Sequence, residues 1–234
     1  AGRAALDVGD LDAAVEALTT SVRFAITTGN DPDPVKVELL EEGLTQVGDG
    51  DVVTRARLLA SLGLELIFTG EFDRRGPVLD ELYELLLDFP DPVQRGLMAA
   101  TLGSHHLGSD WNEETARLRV AWIEAGLPHV TDPFTEATLV LGLWFLCAGV
   151  GDRAGAERAL LHHRQLPREA VLIAVGGHLL EHMTAMVDGR LGDAERERDL
   201  QVGFAERLHD AEEQVYRMLE GWTVLREQGA AGEV

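Results

Sequence analysis

Lysine is almost absent from this sequence: Lys36 is the only one among 20 basic residues. With abundant Ala, Gly, Leu and Arg, that is the bias of a high-GC bacterial genome, and it speaks of codons rather than of function. Positive charge is scarce overall. The 41 acidic residues leave a formal charge of −21, a field that repels phosphate backbones and anionic membrane surfaces and argues against direct nucleic-acid binding by this segment. Cys147 is the sole cysteine, so an internal disulfide is impossible. Its apolar setting, LWFLCAG, marks it as a small buried hydrophobe, and a reducing, cytoplasmic compartment fits. No apolar run reaches the roughly 18 residues of a membrane span, and no basic-then-apolar signal opens the chain. An initiator Met is also missing. Ala1 reads as lying inside a helix, from which we expect an excised piece of a larger protein.

What the sequence does have is punctuation. Gly9, Gly70, Gly108, Gly151, Gly189 and Gly229 each follow an apolar stretch and precede an acidic or amphipathic one, at intervals of 61, 38, 43, 38 and 40. The turn of a helical hairpin needs a residue tolerant of positive φ, and glycine supplies it. The long first interval has room for one extra helix near 34–47. A period near 40 with two helices per unit predicts an all-α fold, an α-solenoid of antiparallel helix pairs. Pro32, Pro34, Pro90, Pro92, Pro128, Pro133 and Pro167 fall between the expected helices. Pro77 intrudes shortly after Gly70, so the helix there is expected to start late or to kink.

Helices are predicted at 11–28, 34–47, 53–69, 73–88, 92–107, 112–126, 133–149, 153–165, 168–188, 191–208 and 211–228, with no strand. In the helix before Gly70, Leu58, Leu59, Leu62, Leu66 and Ile67 recur at helical spacing and form a face, with Gly63 where a neighbour can approach closely. A lone helix of this length is marginal in water, so the pairs must stack to persist. The charge runs AERERD (194–199) and DAEEQ (210–214) read as solvated outer faces.

The stretch ELLEEGLTQVGDGDVVTRARLLASLGLELIFTGEFDRRGPVLDEL (38–82) resembles the tetratricopeptide-like helical-repeat region of large bacterial ATP-binding LuxR-type regulators, the signal-transduction ATPases, and of their cyclase-linked relatives. MVDGRLGDAERERDLQVGFAER (186–207) and VLREQGAAGEV (224–234) look like further hairpins of that array. The resemblance implies a regulatory or scaffolding role in cytoplasmic signal transduction and transcriptional regulation. In that role the array senses a small effector or a protein partner and restrains an ATPase module elsewhere in the full-length chain. Neither a phosphate loop nor a helix-turn-helix occurs in this segment, so ATPase activity and DNA binding do not carry over to it. On this reading residues 1–48 end an earlier repeat and 49–234 form the array, truncated at its C-terminal end.

The sharpest catalytic pattern is HLLEH, 178–182, which fits the H-x-x-E-H signature of one zinc-peptidase class. His178 and His182 stand at i and i+4, so both imidazoles can face one metal, with Glu181 as base toward a bound water. A third ligand would have to come from Glu195 or Glu197, and nothing singles out either. The reading taken is therefore no catalytic residue, no cofactor and no metal site, with Trp111, His178 and His182 as possible groove residues. His105–His106 and His162–His163 are adjacent pairs that diverge by about 100° on a helix and cannot chelate one ion. Of the aromatic residues, Trp144 in LGLWFLCAG is expected in the core. Two alternatives remain: a structural adaptor with no small-molecule ligand, and a zinc hydrolase built on HLLEH.

Overall fold

In a computed structural model of the chain, residues 1–19, 33–48, 50–69, 72–103, 113–167 and 171–205 are described. Their regular structure is helical throughout, with no strand among the described residues. The helices are α1 (Gly2–Asp7), α2 (Leu11–Thr19), α3 (Pro34–Val47), α4 (Val52–Thr69), α5 (Phe72–Leu87), α6 (Pro92–Gly103), α7 (Glu113–Gly126), α8 (Pro133–Gly149), α9 (Arg153–His163), α10 (Val171–Val187) and α11 (Leu191–Ala205). A 3-10 turn, Leu127–His129, follows α7. Among the described residues no helix is long and apolar enough to cross a membrane. The all-α class expected from the sequence is thus the observed one. The predicted helix 11–28 is described only as far as Thr19, and the one at 211–228 lies outside the described residues.

Aspartates start six of the described helices. Asp33, Asp132 and Asp152 are N-caps whose carboxylates accept the backbone N–H of Lys36 at 2.9 Å, Thr135 at 3.1 Å and Gly155 at 2.9 Å. Asp10, Asp51 and Asp91 do the same for Ala13, Thr54 and Gln94, each at 3.1 Å. Each such bond satisfies one of the four N–H groups that a helix leaves orphaned and stabilises it by about 1 kcal/mol. Pro34, Pro92 and Pro133 follow three of these caps directly, at a first helical position where a missing N–H costs nothing. At the other helix ends, Gly9, Gly151 and Gly189 have φ of 74°, 73° and 71°, as their turn role requires; Gly48, not singled out in the sequence, joins them at 60°. Gly70, Gly108 and Gly229 lie outside the described residues.

The late start expected at Pro77 is not seen, because α5 runs from Phe72 through Leu87 with the proline inside it. A proline disfavours helical geometry in the residue before it through a clash with that residue's Cβ. Gly76 has no Cβ, and open space surrounds the position where one would stand. That part of the cost is removed, and what remains is the missing N–H and the ring's crowding of the carbonyl four residues earlier.

The described residues fall into two compact units, one up to His129 and one from Val130. In the first, α4 is the hub: it packs against α3 and α5 as sequence neighbours, and against α2 and α6 as next-but-one neighbours. Leu58, Leu59, Leu62 and Leu66 are buried as the periodicity predicts, and so are Ala56, Ala60 and Leu64 on the helix's other sides. A helix apolar over most of its circumference is one flanked by partners on several sides. Leu6, Val15, Leu18, Val37 and Leu40 close the core against Leu58, Leu62 and Leu66 of α4. Two arginines are buried with it: Arg75 donates from Nε to the Gly63 carbonyl at 2.9 Å, and Arg119 reaches the Ala99 carbonyl at 3.2 Å beneath the Tyr83 ring.

In the second unit α8 pairs with α9 and α10 with α11, while α10 also touches α8 and α9. Leu139, Val140, Leu146, Cys147, Ile173 and Leu180 form its interior. Trp144 is buried there as expected, edge-on to Phe145 at 5.2 Å.

Glycines offer a direct test of these contacts. A Cβ on Gly126 would lie 2.6 Å from the Pro92 carbonyl oxygen, a backbone atom that cannot swing away. Gly126→Ala is expected to cost about 1–3 kcal/mol in urea denaturation. Gly192, inside α11 with nothing near its missing Cβ, is expected to respond oppositely, Gly192→Ala adding about 0.5–1 kcal/mol.

Candidate functional site

Three helices of the first unit each lend one stripe to a groove. From α4 come Arg57, Ala60, Ser61 and Leu64, at i, i+3, i+4 and i+7; from α6 come Gln94, Leu97 and Met98; from α2, Glu16 and Thr19. Lys36, in the first turn of α3, completes a lining around about 430 Å³. Helical period explains the stripes, since residues three and four apart share a face. A volume of this size suits a small-molecule ligand, and the lining sets apolar surface from Ala60, Leu64, Leu97 and Met98 beside six polar side chains that can orient one.

Two charge arrangements border the cavity, and they differ in strength. Lys36 Nζ lies 2.8 Å from Glu65 Oε1; Glu65 is fully buried and the lysine side chain is only 12% exposed. A carboxylate held out of water persists only when paired, so the chain's single lysine offsets a charge placed in the middle of the apolar α4. Arg57, half-exposed, donates from Nη2 to Thr19 Oγ1 at 2.8 Å and meets Glu16 Oε2 at 3.2 Å. The Glu16 side chain is 68% exposed, so this second pair is a solvated one.

The residues of HLLEH lie on α10 in the second unit, and their side chains go to three partners. His178 Nδ1 is 3.0 Å from Glu197 Oε2 on α11. Glu181 accepts both Arg164 Nε and Nη2, at 2.6 and 2.7 Å. His182, buried, donates from Nδ1 to the Ala194 carbonyl at 2.9 Å. Positions i, i+3 and i+4 span an arc of about 100°, wide enough for one edge to meet the chain after α9 and the other to meet α11. Among the described residues no group of three His, Cys, Asp or Glu side chains is placed to hold a metal ion. The described pair of adjacent histidines diverges: His162 meets Glu136 at 2.7 Å, while His163 is buried and faces Gly176 of α10. Trp111 and His105–His106 lie outside the described residues.

A smaller cavity of about 170 Å³ lies in the second unit beside Trp144, Ala156, Thr184 and Val187. Arg153, Glu157 and Asp188 also line it, but its volume is less than half that of the first-unit groove. The unit 1 groove is the better candidate. Sequence reasoning did not find it, although two signals were present: a lone lysine, and a glutamate interrupting LLASLGLELIF.

Two predictions follow from the buried polar groups. Lys36→Met removes the cation 2.8 Å from the buried Glu65 carboxylate and should cost about 3 kcal/mol, while Lys36→Met combined with Glu65→Leu should recover most of the loss in the same denaturation experiment. Burial holds the His182 imidazole below its ordinary value of 6.5, partly opposed by its bond to Ala194. The unfolded chain therefore binds a proton here that the folded chain refuses. This stabilisation is complete above pH 6.5 and declines as pH falls below it. His182→Gln should flatten that decline in urea titrations between pH 7.5 and about 5. No family model matches the chain, and neither a curated protein nor a solved structure matches it.

Proposed function

We propose that the chain is the effector- or partner-binding helical-repeat segment of a larger ATP-dependent signalling or transcriptional regulator, and that it binds rather than catalyses. The observation that carries this reading is the groove. Its walls are α2, α4 and α6, every second helix of the first unit, packed side by side, while the alternate helices α3, α5 and α7 pair with them. Next-but-one contacts of this kind are what stacked antiparallel pairs produce, and α8 with α10 repeats the pattern within the second unit. In a tetratricopeptide-like solenoid the like-numbered helices line one face, so a cavity on that face is where an effector or peptide would sit. The resemblance at 38–82 supports the same reading, because that stretch contains α4, the floor of the groove. The ATPase module, like the cytoplasmic setting, is part of the proposal.

A ligand screen by thermal unfolding tests it. A compound that binds the folded groove at 100 times its Kd should stabilise the chain by about 2.7 kcal/mol. Ser61→Trp, which fills the groove from a partly exposed position on its floor, should abolish that gain without altering the unliganded melting temperature by more than a degree or two. Stabilisers that act equally on the filled variant would move the binding function elsewhere.

A further inference from the structure

We infer that the groove selects small monocarboxylic acids with an apolar body, with Arg57 holding the carboxylate and Leu64, Leu97 and Met98 covering the body. The inference rests on the groove being the binding site, as proposed above, and adds the chemistry of what enters.

The four charged groups near the cavity are not equivalent. Lys36 already answers the fully buried Glu65 at 2.8 Å, so that pair brings polarity to the wall and little net field. Arg57 is different. Its carboxylate partner Glu16 is two-thirds exposed and touches one guanidinium nitrogen at 3.2 Å, a contact that exchange with water can replace at small cost. A guanidinium presents five N–H donors in a plane, and its best partner is a carboxylate that takes two of them in parallel. Thr19 Oγ1, 2.8 Å from Nη2, fixes the orientation of the fork. Arg57 is thus an oriented cation whose present anion is replaceable.

One negative charge is the right number. Arg57 offers one positive charge once Glu16 swings away, and Lys36 is taken up by Glu65, so a phosphate or dicarboxylate would bring a second negative charge that no cation of the groove meets, within a chain of net charge −21. Away from Arg57 the walls turn apolar. Leu64 and Met98 are almost wholly buried and Leu97 partly so, and an unbranched thioether adapts its shape to different hydrocarbon bodies. Ser61 and Gln94 stand where a hydroxyl or amide of the ligand would find a partner.

The test uses octanoate and 1-octanol, matched in length and differing in charge, with calorimetry of the 234-residue chain and the NMR signal of the Met98 methyl group. Octanoate should bind more tightly than octanol, both should shift the Met98 signal, and Arg57→Gln should weaken octanoate about tenfold while leaving octanol unchanged. Arg57→Lys should keep part of the preference. Equal binding of the two probes, or an Arg57→Gln variant that keeps the preference, overturns the carboxylate assignment and leaves the groove as a site. A Met98 signal unmoved by either probe overturns the groove itself. Circular dichroism of the variants guards against misfolding, and a folded Arg57→Gln chain that still binds octanol is the decisive background.

Discussion

Everything in the first unit depends on enclosing one helix. α4 buries apolar residues over most of its circumference, so it can leave only a narrow strip to water and has no stable existence alone. Four neighbours surround it, two hairpin partners and two next-but-one helices. The demand explains why pairs must stack: an ordinary hairpin covers one side of a helix, and α4 requires more than one. It also explains the groove. Where α2 and α6 flank α4 without meeting over it, a strip of α4 remains open, and that strip carries Arg57, Ser61 and Leu64.

Helix boundaries were legible in the sequence because they are set locally. Aspartate, proline and glycine act within three or four residues of where they stand, through caps, a fixed φ and positive φ, and the starts of α3 and α8 coincide with their prolines. The groove was not legible, because its stripes come from three helices whose adjacency is set by stacking rather than by period. Glu65 could have drawn notice as a lone carboxylate in an apolar helix, yet only its nearness to Lys36, 29 positions earlier in the chain, gives it meaning. HLLEH shows the converse. Its spacing was visible, but spacing says that side chains share a face and not which neighbour each edge of that face will meet.

Acidity also reads differently once the helices are in place. A net charge of −21 suggests a uniformly repelling surface, but six of the aspartates are occupied at helix starts, where backbone N–H groups and the positive end of the helix dipole receive them. Thr54 and Thr135, by hydroxyl and backbone bonds, hold the Asp51 and Asp132 carboxyls below the usual range. Some of the remaining acid is paired with arginine of another element, as in Arg55 on α4 with Glu81 on α5, Arg74 on α5 with Glu41 on α3 and Arg164 after α9 with Glu181 on α10. Arginine is suited to such contacts because its fork orients as well as attracts.

Gly155 sits so close to the end of α8 that a Cβ there would come within 2.6 Å of the Cys147 sulfur. The chain's one thiol is thereby sealed by the turn that joins α8 to α9, with 2% of its surface exposed. A reagent reaches it when the packing around α8 opens. The second unit thus carries its own clock: a thiol reagent that reacts faster than the packing recloses counts the openings around Cys147 under native conditions, and leaves the first unit, which has no cysteine, silent.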